Sequence, residues 1–294
     1  MELADPEGRD LPEFEPGSHV DVHVGQDMVR QYSLCGDPTE RHAWRIAVLR
    51  VPGGEASQLL HQTLGRGAAL DVGPPRNAFP LESAQHYVFI AGGIGITPIW
   101  PMARAAERMG ASWELHFSVR DLATHPFVQP VSTMGTRARI YGSRQGQRLD
   151  VAAVLDSVSD PLSTLVYTCG PARLMEEVRA SAWGPLGKRL RFESFVPLKP
   201  GETGTDTAFE IVCARSGKTF AVPADRTLLS MLDEHRVRVR RSCRQGMCGA
   251  CEVRVLEGEP DHRDSLRTTP DKASDGLMRA CVSRARSARL VLDI

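Results

Sequence analysis

The first part of the chain alternates apolar and polar residues over short stretches. Residues 19–24 (His-Val-Asp-Val-His-Val) and residues 44–48 (Trp-Arg-Ile-Ala-Val) follow a period of two, which predicts half-buried β-strands. Clusters of Gly, Pro and Asp separate these runs, as they do in small antiparallel barrels and sandwiches. Residues 1–81 are therefore predicted to form an antiparallel β-barrel.

The pattern changes in the middle of the chain, where residues 87–91 form a continuous apolar run. Such a run is typical of a parallel strand that is buried on both faces. A glycine-rich turn and a helix to about Met109 follow it. Further strands are predicted at 113–119 and 165–168, and a further helix near 173–182. Strands that alternate with helices predict an α/β domain with a parallel sheet over residues 82–195, with its ligand at the carboxyl ends of the strands.

The last part of the chain is separated by a stretch rich in Pro, Gly and Thr, which predicts a linker over residues 196–208. Beyond it, strands at 209–214 and 219–222 flank a turn at Ser216-Gly217 and form a hairpin. A short helix at 227–235 and strands at 252–256 and 290–294 complete a third compact domain over residues 209–294. The chain is therefore predicted to be a multidomain protein.

Composition narrows the classes of function. The 294 residues carry 36 Lys plus Arg against 36 Asp plus Glu, whereas nucleic-acid binders normally have a basic excess. No apolar run approaches the roughly 18 residues of a membrane span, and the acidic N-terminus does not resemble a signal peptide. Four of the seven cysteines cluster as one motif, which favours thiolates in a reducing compartment. A cytoplasmic protein is predicted.

Three cysteines, Cys243, Cys248 and Cys251, stand close together, and Cys281 follows thirty residues later. This spacing is that of plant-type [2Fe–2S] ferredoxins, and small residues such as Gly246 let the backbone wrap closely around the sulfurs. A zinc site would more often show two Cys-x2-Cys knuckles or a mixture of Cys and His. Four unrelated structural cysteines are the other alternative. The spacing favours the cluster.

Residues 209–294 thus resemble a plant-type ferredoxin domain with a β-grasp (α+β) fold. The resemblance implies that Cys243 and Cys248 ligate the more exposed iron. It implies that Cys251 and Cys281 ligate the inner iron.

The segment Arg30-Gln31-Tyr32-Ser33 matches the Arg-x-Tyr-Ser motif of the ferredoxin–NADP reductase superfamily of flavoproteins. An arginine can bind a phosphate in bidentate fashion. A tyrosine can pack beside a flavin, and a serine hydroxyl can hydrogen-bond its reactive edge. The motif is short, so a half-buried strand is the alternative.

Two companion segments support a flavin site. Residues 53–57 (Gly-Gly-Glu-Ala-Ser) precede a helix predicted at 58–63, whose N-terminus offers backbone amides and a favourable dipole to a phosphate. Residues 76–81 close the barrel as they do in the superfamily. The predicted flavin-binding residues are Arg30, Tyr32, Ser33, Gly53, Gly54, Ala56, Ser57, Asn77 and Phe195.

The glycine turn after residues 87–91 predicts a nicotinamide site. It is not the Rossmann fingerprint, but glycines between a strand and a helix let a pyrophosphate approach the backbone. A tight turn without a ligand is the alternative. The predicted nicotinamide-binding residues are Gly92, Gly93, Gly95, Thr97, Pro98, Asp121, Cys169, Gly170 and Pro171.

Two later segments resemble catalytic motifs of the same superfamily. Cys169-Gly170-Pro171 follows a strand, and the resemblance places Cys169 close to the nicotinamide C4, with a buried neutral thiol as the alternative. Glu193-Ser194-Phe195 matches the segment whose aromatic ring stacks on the flavin. The residues predicted to be catalytic are Ser33, Cys169, Glu193 and Phe195.

Asp121 follows Arg120 at the end of the second strand of the α/β domain. A carboxylate there accepts hydrogen bonds from ribose hydroxyls and repels a 2′-phosphate, so NADH is favoured over NADPH. The neighbouring Arg120 argues for the reverse preference.

The order of flavin, nicotinamide and C-terminal ferredoxin motifs resembles, over essentially the whole chain, the phthalate dioxygenase reductase group. That group includes vanillate O-demethylase reductases, which use FMN. The resemblance implies a reductase that passes electrons from NADH through FMN and a [2Fe–2S] cluster to a terminal Rieske non-haem iron oxygenase acting on an aromatic acid. A cytochrome P450 partner is one alternative. An iron–sulfur carrier or sensor with degenerate flavin and NAD lobes is another.

One departure concerns the N-terminus, since the family has a further strand before the point where this chain starts. The segment Glu2-Leu3-Ala4-Asp5-Pro6 resembles the end of that strand. Either the start is misassigned or the barrel lacks its first strand, in which case weaker flavin retention is expected.

Arginines surround the cysteine loop and outnumber the acidic residues of the same stretch, where only Glu252 opposes them. A basic surface of this kind favours docking of an acidic partner, although a solvated polar rim is the alternative. The arginines are Arg236, Arg238, Arg240, Arg241, Arg244 and Arg254.

Overall fold

The computed structural model describes residues 1–25, 28–195, 206–240, 246, 249–264 and 276–294. The chain divides into two compact units, Met1–Phe195 and Val196–Ile294. The division falls where the linker is predicted to begin, and residues 196–205 of that linker lie outside the described residues. No helix in the described part of the chain is long and apolar enough to cross a membrane.

The first part of unit one consists of short antiparallel strands and one helix. The central strand, Ser18–Val24, pairs with the third strand on one side and with the fifth and sixth on the other, while the first pairs with the fourth. The predicted alternation is confirmed, because Val20, Val22 and Val24 are buried in a shared core. The elements are β1 Glu2–Leu3, β2 Ser18–Val24, β3 Met28–Ser33, β4 Trp44–Arg45, α1 Glu55–Thr63, β5 Asp71–Val72 and β6 Arg76–Asn77.

Two boundaries in this region differ from the prediction. The strand predicted at 44–48 is only two residues long, with one further bridge between Leu34 and Ile46. Helix α1 begins at Glu55 rather than at residue 58. The Ser57 hydroxyl accepts the Val51 N–H at 3.1 Å and donates to the Gly54 carbonyl at 3.0 Å. These bonds stabilise a turn that starts the helix earlier.

The second part of unit one combines a parallel sheet with helices. Its five strands lie in the order β11-β10-β7-β8-β9, and all neighbours are parallel. The central strands β7 and β10 are almost entirely buried, as their continuous apolar runs predict. The elements are β7 His86–Gly92, α2 Ile96–Arg108, β8 Ser112–Val119, α3 Val128–Ser132, β9 Ala138–Gly142, α4 Val151–Asp156, β10 Thr164–Cys169, α5 Ala172–Ser181, α6 Gly184–Gly187 and β11 Leu190–Glu193.

Separate apolar cores cover the two faces of this sheet. Alternate residues of β7 point to opposite sides, so Phe89 packs with Ile99 of α2 in one core. Ile90 packs in the other core with Leu155 of α4 and Val178 of α5. This layering leaves the carboxyl ends of the strands as the edge on which loops can build a site.

The antiparallel and α/β parts of unit one are held together by buried polar contacts. The Tyr167 hydroxyl donates to the Pro80 carbonyl at 2.9 Å and accepts the Glu82 N–H at 2.7 Å. Burial raises the pKa of Tyr167 to about 12, so it remains a donor at neutral pH. Glu82 also pairs with Arg191 at 2.5 Å. These contacts fix the segment that connects the two parts against β10 and β11.

Unit two is built on a mixed five-stranded sheet in the order β13-β12-β18-β14-β16. Strands β12 and β18 are parallel, and the other pairs are antiparallel. The Thr227 side chain caps α7, and Leu228 and Leu232 of that helix join the core. The elements are β12 Phe209–Cys213, β13 Thr219–Val222, α7 Leu228–Glu234, β14 Glu252–Glu257, β15 Pro260–Asp261, β16 Leu277–Arg279, β17 Arg284–Ala285 and β18 Arg289–Leu292.

Candidate functional site

The glycine turn after β7 lies directly against the Cys169-Gly170-Pro171 segment, because β7 and β10 are parallel neighbours. A Cβ on Gly95 would overlap the Cys169 carbonyl and lie 2.7 Å from the Gly170 nitrogen. A Cβ on Gly92 would lie 2.7 Å from the Pro171 ring. Only glycine allows the two backbones this approach. Two motifs about 75 residues apart in sequence therefore meet at the carboxyl edge of the sheet.

The N-terminus of α2 projects from this turn. Residues Gly93–Gly95 form one turn of 3-10 helix, and α2 then runs for 13 residues with no side chain capping its first amides. The Thr97 hydroxyl donates to the Ile94 carbonyl at 2.9 Å, so it stabilises the turn. The positive end of the helix dipole suits a pyrophosphate.

His125 is a residue of this region that the sequence analysis missed. Its half-buried ring hydrogen-bonds the backbone of Gly93 and packs edge-on to Phe117, with ring centroids 5.1 Å apart. Burial lowers the pKa of His125, and the bond to Gly93 opposes that shift. The only sequence signal was its place in the loop after a parallel strand.

Asp121 lies just after β8, as predicted, but its carboxylate already has protein partners. It accepts hydrogen bonds from the Ala123 N–H at 3.0 Å, the Arg144 guanidinium at 2.8 Å and the Gln145 amide at 3.2 Å. These contacts lower the pKa of Asp121. Arg144 is far from Asp121 in sequence, and only the pairing of β8 with β9 brings its turn close. A basic side chain therefore stands beside the carboxylate on which a preference for NADH was predicted.

Cys169 and Glu193 are paired across β10 and β11. Cys169 is fully buried, and its burial and the nearby Glu193 carboxyl raise the pKa of its thiol well above the ordinary value. Glu193 Oε2 is buried without a hydrogen-bond partner among the described residues, and burial raises the pKa of this carboxyl to about 8. The thiol is thus neutral, and Glu193 carries a proton at neutral pH. Phe195, at the end of unit one, is 38% exposed and leaves its ring available for stacking.

The Arg-x-Tyr-Ser residues occupy β3. The Arg30 guanidinium is exposed apart from a bond to the Val29 carbonyl, and Tyr32 packs half-buried against the core of the antiparallel part. Ser33 is 5% exposed, and its hydroxyl is buried with no hydrogen-bond partner in the described part of the chain. Buried hydroxyls in proteins normally have a partner. An unsatisfied Ser33 fits a site that a polar ligand completes.

The two companion segments, residues 53–57 and 76–81, offer mainly backbone groups to a ligand. Gly53 has a φ of +74°, and α1 has no side-chain cap, so its first amides remain open to a phosphate. Ala56 is buried in the apolar core, and the Ser57 hydroxyl is used within the turn. Asn77 accepts the Phe79 N–H at 3.0 Å and donates to the Pro16 carbonyl at 3.1 Å, so its side chain shapes the loops.

The cysteine loop is described in part, since Cys243 and Cys248 lie outside the described residues. The Sγ atoms of Cys251 and Cys281 are buried 3.1 Å apart, and the Gly246 N–H donates to the Cys281 sulfur at 3.3 Å. Gly246 has a φ of +72° and packs so closely that a Cβ would lie 2.7 Å from Val282. Adjacent thiols with a backbone N–H directed at sulfur fit an iron–sulfur cluster. Over the described ranges, no three ligand side chains group as a metal site.

A family model described as a 2Fe-2S iron–sulfur cluster binding domain matches residues 211–286. This match confirms the choice of a cluster over zinc for unit two. It spans the described Cys251 and Cys281.

Other proteins are similar to the whole chain and not to unit two alone. The vanillate O-demethylase oxidoreductase of Pseudomonas sp. (strain HR199 / DSM 7063) is 37% identical over 100% of this chain and 94% of its own. The solved phthalate dioxygenase reductase is 36% identical, with a TM-score of 0.68 over 100% of this chain and 92% of its own. Its structure is described as modular, for electron transfer from pyridine nucleotides to [2Fe-2S].

A cytochrome P450 also contains a similar part. Full-length CYP116B46 from Tepidiphilus thermophilus is 41% identical with a TM-score of 0.85, and the match covers 100% of this chain but only 39% of the P450 chain. The similarity to the oxygenase reductases, by contrast, spans nearly the full length of both chains. The chain therefore belongs to the family of phthalate dioxygenase and vanillate O-demethylase reductases.

Proposed function

We propose that the chain is the NADH-dependent reductase component of a Rieske-type aromatic-ring oxygenase or O-demethylase, and that it works in the cytoplasm. The observation that carries this proposal is that three features occur in one chain. They are the contact between the Gly95 turn and Cys169, the buried Ser33 hydroxyl without a partner in the described part of the chain, and the adjacent thiols of Cys251 and Cys281. The proposed domains are an FMN domain over residues 1–81, an NAD domain over 82–195, a linker over 196–208 and a ferredoxin domain over 209–294.

When bound, FMN and a [2Fe–2S] cluster would allow electrons that arrive in pairs from NADH to leave one at a time. The protein supplies orientation and electrostatics. The backbone of Gly92, Gly95 and Gly170 would admit the pyrophosphate of NADH. Arg30 and the first amides of α1 would bind the FMN phosphate. Ser33 would hydrogen-bond the flavin ring, and Phe195 would stack on it.

Glu193 and Cys169 would shape the space where nicotinamide and flavin meet. The Glu193 carboxyl holds a proton on a buried edge at neutral pH, so it can donate a hydrogen bond there without adding charge. The buried neutral thiol of Cys169 excludes water from the same place. Cys243, Cys248, Cys251 and Cys281 would ligate the cluster.

The test of this function is NADH-dependent reduction of ferricyanide and cytochrome c by the purified full-length protein, loaded with FMN, iron and sulfide. We expect both acceptors to be reduced. Cys281→Ser should keep the ferricyanide activity, which the flavin part supports alone, and lose most of the cytochrome c activity. Absence of NADH oxidation by FMN-loaded protein would contradict the reductase and favour a degenerate carrier.

We propose further that the oxygenase docks on the arginine-rich surface near the cluster. Arg236, Arg238 and Arg240 are exposed, while Val237 is buried and Val239 packs half-buried against the core. The alternation directs the three guanidinium groups to solvent next to the cysteine loop. Such a surface favours a partner with an acidic face and makes association depend on salt.

Arg238→Glu tests the docking surface, with Arg148→Glu as the control because Arg148 is exposed in unit one. We expect electron transfer to the oxygenase to fall with rising salt and about tenfold or more in Arg238→Glu, since steering by charge changes association rates over this range. Ferricyanide reduction should be unchanged in both variants. A flat salt profile would contradict the proposal.

A cytochrome P450 is the second candidate partner, because the similar part of CYP116B46 matches this chain at a TM-score of 0.85. Side-by-side assays with an oxygenase component and a separate P450 distinguish the two. We expect faster transfer to the oxygenase, and the reverse order would replace the first candidate by the second.

A further inference from the structure

His19 is a second buried polar residue beside the Arg-x-Tyr-Ser motif. His19 lies on β2 directly opposite Ser33 of β3 on one side and Arg76 of β6 on the other. Residues paired across antiparallel strands project to the same face, so the three side chains form a row. His19 is 4% exposed, and its Nε2 atom is buried without a hydrogen-bond partner among the described residues.

The neighbouring Ser33 hydroxyl likewise has no hydrogen-bond partner in the described part of the chain. Buried polar atoms normally have a partner, and two of the exceptions among the described residues lie on residues that are paired across β2 and β3. One ligand that reaches both atoms accounts for both. Ser33 belongs to the motif expected to bind the flavin, so that ligand is the flavin of the proposed function.

The location of His19 agrees with this assignment. Two residues earlier, a Cβ on Gly17 would lie 2.8 Å from the Met102 side chain of α2. The start of β2 therefore lies where the antiparallel part meets the α/β part. In the proposed function, these are the two parts that bind the flavin and the nicotinamide.

His19 is held as a neutral imidazole. Burial, together with the Arg76 guanidinium, lowers the pKa of His19 to about 4, although Asp21 opposes these effects. Asp21 is itself paired with Arg76 at 2.6 Å and with Gln31 at 3.2 Å. The ring can therefore give or accept one directed hydrogen bond without contributing a charge.

We propose that His19 is a further flavin-binding residue, whose Nε2 hydrogen-bonds a polar atom of the flavin ring system beside the Ser33 hydroxyl. This proposal rests on the proposed function. Because the bond is to the ring, it affects both the retention of FMN and the energy of its reduced form. His19 is a positioning and potential-tuning residue of the flavin site.

The test uses the full-length protein depleted of FMN and measures the FMN dissociation constant by quenching of flavin fluorescence, and then the flavin midpoint potential. His19→Phe keeps a ring and removes the hydrogen bond. We expect it to weaken FMN binding about tenfold, the effect of one ordinary hydrogen bond, and to shift the potential. His19→Gln places an amide near the Nε2 position, so we expect FMN affinity within about threefold of the native value.

His23→Phe is the matched control, since His23 lies on the same strand and face but is exposed. It should leave FMN affinity and potential unchanged. If His19→Phe does not fold, His19→Asn is compared with His19→Gln, because Asn places its amide near Nδ1 instead and should lose affinity.

Native FMN affinity and potential in His19→Phe, or equal affinity of the Asn and Gln variants, would overturn the assignment of His19. A lower melting temperature of the FMN-free protein without any change in FMN affinity would also overturn it, because the role would then be structural. Native protein that fails to bind FMN at all would overturn the proposed function, and with it this proposal.

Discussion

Glu193 shows at the residue scale how burial sets chemistry. Its Oε2 atom has no hydrogen-bond partner among the described residues, and its pKa is about 8. The folded protein therefore keeps a proton that an unfolded carboxyl, with a pKa near 4.3, releases at neutral pH. The contribution of Glu193 to the free energy of unfolding is fully present below the pKa of the unfolded state. It is lost as the pH rises through the pKa of the folded state.

Glu193→Gln should remove this dependence, because an amide does not titrate. We expect the native unfolding free energy to fall by up to about 1.4 kcal/mol per pH unit between pH 5 and 8 relative to the variant. Urea unfolding at several pH values measures the difference. Glu176→Gln, an exposed change on α5, is the control, and identical pH slopes in native protein and Glu193→Gln would refute the expectation.

Gly246 is the second residue-scale test, because it combines a positive φ with a close contact. Gly246→Ala places a methyl group against Val282 at 2.7 Å, so we expect severalfold less cluster absorbance per chain. Gly217→Ala is the matched control, since Gly217 has a φ of +67° and no atom within 4 Å of the added Cβ. Gly217→Ala should lower the free energy of unfolding by about 1–2 kcal/mol and keep its cluster. Equal cluster content in the two variants would show that the loop tolerates the methyl group.

Much of the residue-scale chemistry was predictable because each motif is contiguous. The cysteine spacing and the glycine turn are legible in a few neighbouring residues. His19 and Arg144 were missed because their importance comes from strand pairing. His19 acquires its role only when β3 places Ser33 opposite it, and Arg144 only when β9 lies beside β8.

At the element scale, the meeting of the β7 and β10 turns organises the nicotinamide site. Gly95 has an ordinary helical φ, so the effect of a side chain there is purely steric. Gly95→Ala would overlap the Cys169 carbonyl and push the two turns apart. We expect a KM for NADH at least tenfold higher, because the pyrophosphate cradle depends on that approach.

Gly93→Ala is the control for this change. Gly93 has a φ of +53° but open space around the added Cβ, so it tests backbone strain without a clash. We expect the smaller rise in KM from this variant, measured by steady-state NADH oxidation with ferricyanide. A larger effect of Gly93→Ala than of Gly95→Ala would contradict the steric explanation.

The turn after β9 bears on the choice of coenzyme. Arg144 neutralises Asp121 and offers a guanidinium that can bind a 2′-phosphate. Arg144→Ala should lower kcat/KM for NADPH about tenfold and leave that for NADH within about twofold, since one charged contact is lost. Arg137→Ala is the control, because that arginine pairs with Glu107 instead. An unchanged NADH to NADPH ratio would exclude a role of Arg144 in coenzyme choice.

Long buried elements were predictable from the sequence, and short marginal ones were not. Strands β7, β8 and β10 lie within two residues of their predicted ranges because their apolar runs are continuous. Strands β9 and β11 were not predicted, since they lie at the sheet edges and are only partly buried. Their apolar pattern is therefore weak.

At the scale of the whole molecule, the order of the motifs along the chain is the main evidence for its function. Each motif alone permits a simpler explanation, such as a half-buried strand, a tight turn or structural cysteines. Their succession in one chain matches oxygenase reductases over nearly their full length. The closure of the antiparallel strands into a barrel stays a prediction.

The central claim is that electrons from NADH reach the iron–sulfur cluster within one chain. Anaerobic titration of the FMN- and cluster-loaded protein with NADH tests it, followed by visible absorbance for the flavin and by electron paramagnetic resonance for the cluster. We expect bleaching of the flavin together with a reduced [2Fe–2S] signal, and bleaching without that signal in Cys281→Ser. A native protein whose flavin is reduced while its intact cluster stays oxidised would contradict the claim.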